Sequence, residues 1–165
     1  MAAESGIEYR RSGYLETYVQ VGVASGSAVS VEFTDEPEGE EPAPGEGSDA
    51  LEAVFAYLDG EVETTPDIEY ALTVSGIERR SLERTRDVPY GTTTTYEEFA
   101  ASIGEADEED DIARVREALH DNPVPIVSPS HRIVAEDSVG GFAGPRDVKR
   151  KLLKLEGSLR ASTIR

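Results

Sequence analysis

The clearest alternation of apolar and polar positions lies near the N-terminus. Thr17–Ala24, TYVQVGVA, and residues 28–34, AVSVEFT, are rich in Val, Thr and aromatics and predict two strands, with Ser25, Gly26 and Ser27 as the turn. Residues 35–47, DEPEGEEPAPGEG, break the pattern. They are too acidic and too rich in Pro and Gly to bury much apolar surface, and they predict a mobile loop. Helical spacing follows over residues 50–59, where Leu51, Val54, Phe55 and Leu58 share a face and Ser48 or Asp49 can cap. Residues 68–74 predict a further strand. Residues 1–75 therefore read as a small α/β N-terminal half.

The second half, residues 76–165, reads as mainly helical. Residues 81–86 predict a helix, followed by a turn at Val88-Pro89-Tyr90-Gly91. Thr95 and Glu98 have capping-box spacing: the Thr95 hydroxyl can accept from the Glu98 amide, and the Glu98 carboxylate can reach back to the Thr95 amide. The short helix they start ends at Gly104. After an acidic turn over residues 105–111, a second helix begins near Ile112. Ile112, Val115, Ala118 and Leu119 form its inward stripe, with Arg114, Arg116, Glu117 and His120 largely off it. Two short helices, the second bearing arginines, suit a helix-turn-helix, and plain core packing suits them equally. A last helix follows Pro145, with Val148, Leu152 and Leu155 inward, Lys149, Arg150, Lys151 and Lys154 on other faces, and Gly157 as its stop.

Composition narrows the class. At 165 residues the chain suits one compact domain or two small ones. There is no cysteine, which excludes disulfides and cysteine metal sites, and two histidines are too few for a histidine-rich zinc site. The absence of a signal or membrane-spanning pattern predicts a soluble, cytoplasmic monomer with no membrane partner. The formal charge is −18, and only three of the 16 basic residues are lysine. Such a surface resembles those of proteins from salt-loving organisms, whose folds need salt to screen self-repulsion. The charge is uneven: residues 1–75 carry 17 acids and 2 bases, residues 76–111 carry 11 and 4, and residues 112–165 carry 6 and 10. A basic C-terminal third on an acidic chain is a candidate polyanion-binding face.

The run NPVPIVSPSHRIV, from Asn122 to Val134, closely resembles the active-site loop of the O6-alkylguanine-DNA alkyltransferases. The resemblance extends from Val88 to Gly157. It includes the Val88-to-Gly91 turn, Tyr96, the helix from Ile112, Pro129-Ser130-His131-Arg132, the glycine-rich bend from Gly140 to Gly144, and Glu156-Gly157. It implies a winged helix-turn-helix that binds duplex DNA and flips an O6-alkylated guanine into a pocket. It implies no cofactor and no metal, and nucleotide excision repair proteins as further partners. In the family a cysteine thiolate takes the alkyl group, with a histidine, a glutamate and an asparagine around it. Those partners would be His131, Glu156 and Asn122, but Ser130 stands where the cysteine belongs. A hydroxyl is far less acidic than a thiol and a poorer nucleophile toward an alkyl carbon, so no useful alkyl transfer is expected. The chain then resembles the alkyltransferase-like branch, which recognises the lesion without repairing it. A methyltransferase whose cysteine has been substituted, and a winged-helix interaction domain without lesion specificity, are the alternatives.

The resemblance also implies DNA-contacting residues. Tyr96 would act on the flipped nucleotide's phosphate, or simply pack on the core. Phe142 would stack on the base where the family usually has tyrosine. Pro129, Ile133, Ala143 and Gly144 would line the pocket, and Arg132 would contact DNA or serve as an ion-pair partner. The arginine that fills the vacated stack falls on Ala113 by an ungapped count, leaving Arg114, then Arg116, for that role. The six acids in residues 105–111 should repel phosphate if they face it.

Overall fold

The computed structural model describes residues 5–108 and 110–158. The chain is mixed α/β and divides into two compact units. Of the described residues, the first comprises those up to Ala71 together with Pro123–Val127, and the second those from Leu72 to Asn122 and from Ser128 to Ser158.

The first unit is built on an antiparallel sheet in the order β1-β2-β3: β1 (Gly6–Ser12), β2 (Thr17–Ala24) and β3 (Ser27–Thr34). β1 was not expected, because GIEYRRS is short and charged. Its pairing with all of β2 supplies what its own pattern lacks. Ser25 and Gly26 both have positive φ, +50° and +83°, the two-residue turn whose twist suits a hairpin. Val19, Val21 and Val23 are buried, as are Leu51, Val54, Phe55 and Leu58 of α1 (Asp49–Leu58). Ser48 caps α1 by accepting from the Leu51 amide at 3.2 Å. Residues 68–74 form no strand; Tyr70 makes one isolated bridge to Ala28.

The acidic segment 35–47 is anchored by hydrogen bonds rather than free to move as its composition suggested. The Glu40 amide and carbonyl pair with the backbone of Ile7 and Tyr9. Glu52 accepts from the Gly45 and Gly47 amides and from Arg10 at 2.9 Å. The Arg10 guanidinium holds the Glu52 carboxyl below the usual carboxylate range.

The second unit holds α2 (Gly76–Arg84), a 3-10 turn (Thr85–Asp87), β4 (Thr94–Thr95), α3 (Tyr96–Ser102), α4 (Asp111–His120), a second 3-10 turn (Ser130–Arg132), β5 (Ile133–Val134) and α5 (Arg146–Leu155). β4 and β5 pair in parallel. α4 packs against both α2 and α3. α2 starts five residues earlier than the expected helix. The Thr95 hydroxyl accepts from the Glu98 amide at 3.1 Å, but the Glu98 carboxylate meets that hydroxyl and not the Thr95 amide. α5 brings a larger correction: Lys149 is buried alongside Val148, Leu152 and Leu153, while Leu155 is half-buried.

Candidate functional site

Ser130, His131 and Arg132 form the 3-10 turn that follows the proline-rich loop. All three are buried. The Asn122 side-chain amide donates to the Ser128 carbonyl at 2.8 Å and to Ser130 Oγ at 2.9 Å. One side chain thus fixes both the turn and the orientation of Oγ. A donor aimed at that atom favours electron density on it, as a thiolate in the same place would require. The neighbouring Ser128 hydroxyl bonds to Thr85 and to the Leu82 carbonyl.

Beside Ser130 lies a buried ionic cluster. His131 Nε2 is 2.6 Å from Glu156 Oε2. Arg132 donates from Nε and Nη2 to the two Glu156 oxygens at 2.9 and 3.0 Å, and from Nη1 to the Val88 carbonyl at 2.8 Å. The Gly91 amide also donates to Glu156, at 3.0 Å. This is a bidentate arginine–carboxylate pair with further donors on the same oxygens, an arrangement able to hold a carboxylate charged in the interior. Burial pushes the His131 pKa down, while the Glu156 carboxylate opposes the shift. A neutral imidazole that donates through Nε2 to Glu156 presents Nδ1 as its acceptor.

Asn122, Ser130, His131 and Glu156 are therefore brought together. Pro129 and Ile133 are buried next to them in the chain. Arg132 is 0% exposed, so the expected DNA contact is replaced by an internal ion pair. Phe142 and Ala143 are half-buried and Gly144 is exposed, all on the bend before α5. On α4, Arg114 projects outward with its side chain 61% exposed and 3.9 Å from Asp111. Arg116 instead lays its guanidinium 4.6 Å from the Tyr96 ring centre. Ala113 is exposed.

Tyr96 is 2% exposed and sits in a second cluster that sequence reasoning did not assemble. Its hydroxyl is 3.2 Å from His120 Nε2 and 3.5 Å from Lys149 Nζ. Lys149 Nζ also donates to the Ile133 carbonyl at 2.7 Å and the Gly141 carbonyl at 2.8 Å. A signal for Lys149 was present: it precedes Leu152 by three residues and Leu153 by four, which places it on the apolar stripe of α5. Among the described residues, no group of three or more His, Asp or Glu is placed to hold a metal ion.

Residues 77–158 match the DNA-binding-domain family of 6-O-methylguanine DNA methyltransferase. The methylated-DNA–protein-cysteine methyltransferase of Methanopyrus kandleri is 37% identical over 73% of this chain and 92% of its own. The chain belongs to this alkyltransferase family. The corresponding methyltransferase of Metallosphaera sedula is 35% identical, over 62% of this chain and 63% of that protein. The fold agrees: Mycobacterium tuberculosis OGT, solved in complex with DNA, superposes with a TM-score of 0.76 at 27% identity, covering 92% of each chain. In this alkyltransferase-family chain, the hydroxyl of Ser130 receives the Asn122 amide, and the His131–Glu156 pair lies beside it in the chain's interior. Among the described residues no helix is long and apolar enough to cross a membrane.

Proposed function

We propose that this protein binds duplex DNA, turns an O6-alkylated guanine out of the stack into a pocket floored by Ser130, and marks it without removing the alkyl group. The observation that carries this is the buried cluster beside the Ser130 hydroxyl: Asn122 on Ser130, and Glu156 on His131 and Arg132. Asn122 and His131 suit a thiolate. A serine hydroxyl needs a strong, aligned base before it attacks carbon.

In this reading α3 and α4 act as a winged helix-turn-helix, with Arg114 entering the stack because Arg116, though also exposed, is turned onto the Tyr96 ring. Arg116 backs Tyr96, Phe142 stacks on the base, and Pro129, Ile133, Ala143 and Gly144 line the pocket. Arg132 serves the pocket by holding Glu156. Excision-repair proteins are the partners such a marked lesion would need. The strongly acidic surface suits work in concentrated salt, where shape and stacking carry binding more than counterion release does.

A second reading is favoured by the same cluster: a methyltransferase scaffold complete except for its sulfur. Incubation with duplex DNA carrying a labelled O6-methyl group separates the two. The chain with Ser130 should acquire no label, and a Ser130→Cys variant should acquire about one methyl per molecule. Label on the serine protein would overturn the marking role.

A further inference from the structure

We infer that Lys149 is a positioning residue for the base pocket, holding the bend from Gly140 to Gly144 against Tyr96, His120 and β5; this rests on the DNA-binding reading above. Three observations carry it. Lys149 Nζ, on α5, bonds the Gly141 carbonyl of the bend, the Ile133 carbonyl of β5 and the Tyr96 hydroxyl. The bend packs closely on this wall: a Cβ on Gly140 would lie 2.5 Å from the Tyr96 hydroxyl, and one on Gly141 would lie 2.7 Å from His120 Nε2. Tyr96 is itself held, its ring between the Arg116 guanidinium at 4.6 Å and the Lys149 ammonium at 5.6 Å, with His120 edge-on at 6.0 Å.

The chemistry makes the clamp responsive to protons. An ammonium has three donors for its three oxygen partners, while a neutral amine has two and makes weaker bonds. Burial, and then the charge of Arg146 on the same helix, bring the Lys149 pKa down from 10.5 to about 7. The charged and titratable groups facing this cluster are Tyr96 and Glu97 from α3, Arg116 and His120 from α4 with Asp121 at its end, Arg146 from α5 and His131 from the active-site turn. His120 is likewise held below its ordinary value, by burial and by Lys149. A flipped base needs the bend that the charged ammonium holds, so binding of the lesion, over and above that of plain duplex, should take up a proton. The sign follows: affinity for the lesion should fall as pH rises through about 7.

The test is competition of an O6-methylguanine duplex against the unmodified duplex from pH 6 to pH 9, at one high KCl concentration. Wild type, Lys149→Arg and Lys149→Met would be compared, with hydrogen exchange of residues 138–144 in the free proteins. Wild type should lose about tenfold of its lesion preference across this range. Lys149→Arg, always charged, should remain flat. Lys149→Met should have low preference throughout, and the Gly140–Gly144 amides should exchange about tenfold faster or more. If Lys149→Met does not fold, the wild-type profile against that of Lys149→Arg decides. A selective wild type whose preference ignores both pH and substitution overturns the inference alone. Equal binding of both duplexes by wild type at every pH overturns the DNA-lesion reading and the inference with it.

Discussion

At the scale of residues, the proposed loss of alkyl transfer rests on one atom. Ser130 Oγ receives the Asn122 hydrogen bond, yet a hydroxyl so placed keeps its proton where a thiol would lose it. The ionic cluster alongside has a structural task that does not depend on that atom. Glu156 receives donors from His131, Arg132 and Gly91 within the interior. Glu156→Gln would leave the Arg132 guanidinium buried against a neutral amide. Urea denaturation should show a loss of roughly 3–5 kcal/mol, the usual consequence of breaking a buried pair from one side. A loss below about 1 kcal/mol, the range of exposed pairs, would mean that the cluster is solvated and not structural.

The motif around Ser130 was legible in the sequence because its letters are rare in combination and adjacent in the chain. Arg132 was legible only as one of two options, a DNA contact or an ion-pair partner. Its role depends on Glu156, 24 residues later, which periodicity cannot connect to it. Tyr96 was placed correctly at a helix start, but its neighbours His120 and Lys149 come from two other helices.

At the scale of elements, the long periodic segments were legible and the short ones were not. The α1 stripe matches its burial, the α4 stripe does so at Val115, Ala118 and Leu119 while Ile112 is only half-buried, and Ser48 and Thr95 both cap. β1 and residues 68–74 mislead in opposite directions, because a strand is decided by its partner and not by its own letters. α5 was misjudged at Lys149, where charge was taken as a sign of exposure. A long lysine stem can pack with leucines while its tip reaches carbonyl oxygens.

The bend before α5 is where element geometry is most constrained. Gly140 has φ +77°, and a Cβ added there would lie 2.5 Å from the Tyr96 hydroxyl. Gly140→Ala combines an unfavourable left-handed backbone with a clash against a buried ring. It should cost about 1–3 kcal/mol in a thermal or urea unfolding measurement. A variant as stable as wild type would show that the bend does not rest on Tyr96.

At the scale of the whole molecule, charge and fold pull in different directions. A net charge of −18 is an unusual background for a polyanion-binding protein. The six acids of residues 105–111 sit between the two helices proposed to meet DNA, and Glu105 is paired with Arg80 while Asp111 accepts from the Glu108 amide. The pairing with Arg80 offsets one of these charges. Concentrated salt screens the remainder, so affinity should depend on KCl less steeply than for a basic DNA-binding protein.

The most direct measurement is competition between an O6-methylguanine duplex and the same duplex unmodified, titrated with KCl while folding is followed by circular dichroism. The account predicts a folded protein that prefers the methylated duplex at least about tenfold, with a preference retained at high KCl. Equal affinity for the two duplexes, with binding that disappears steeply as KCl rises, would contradict it.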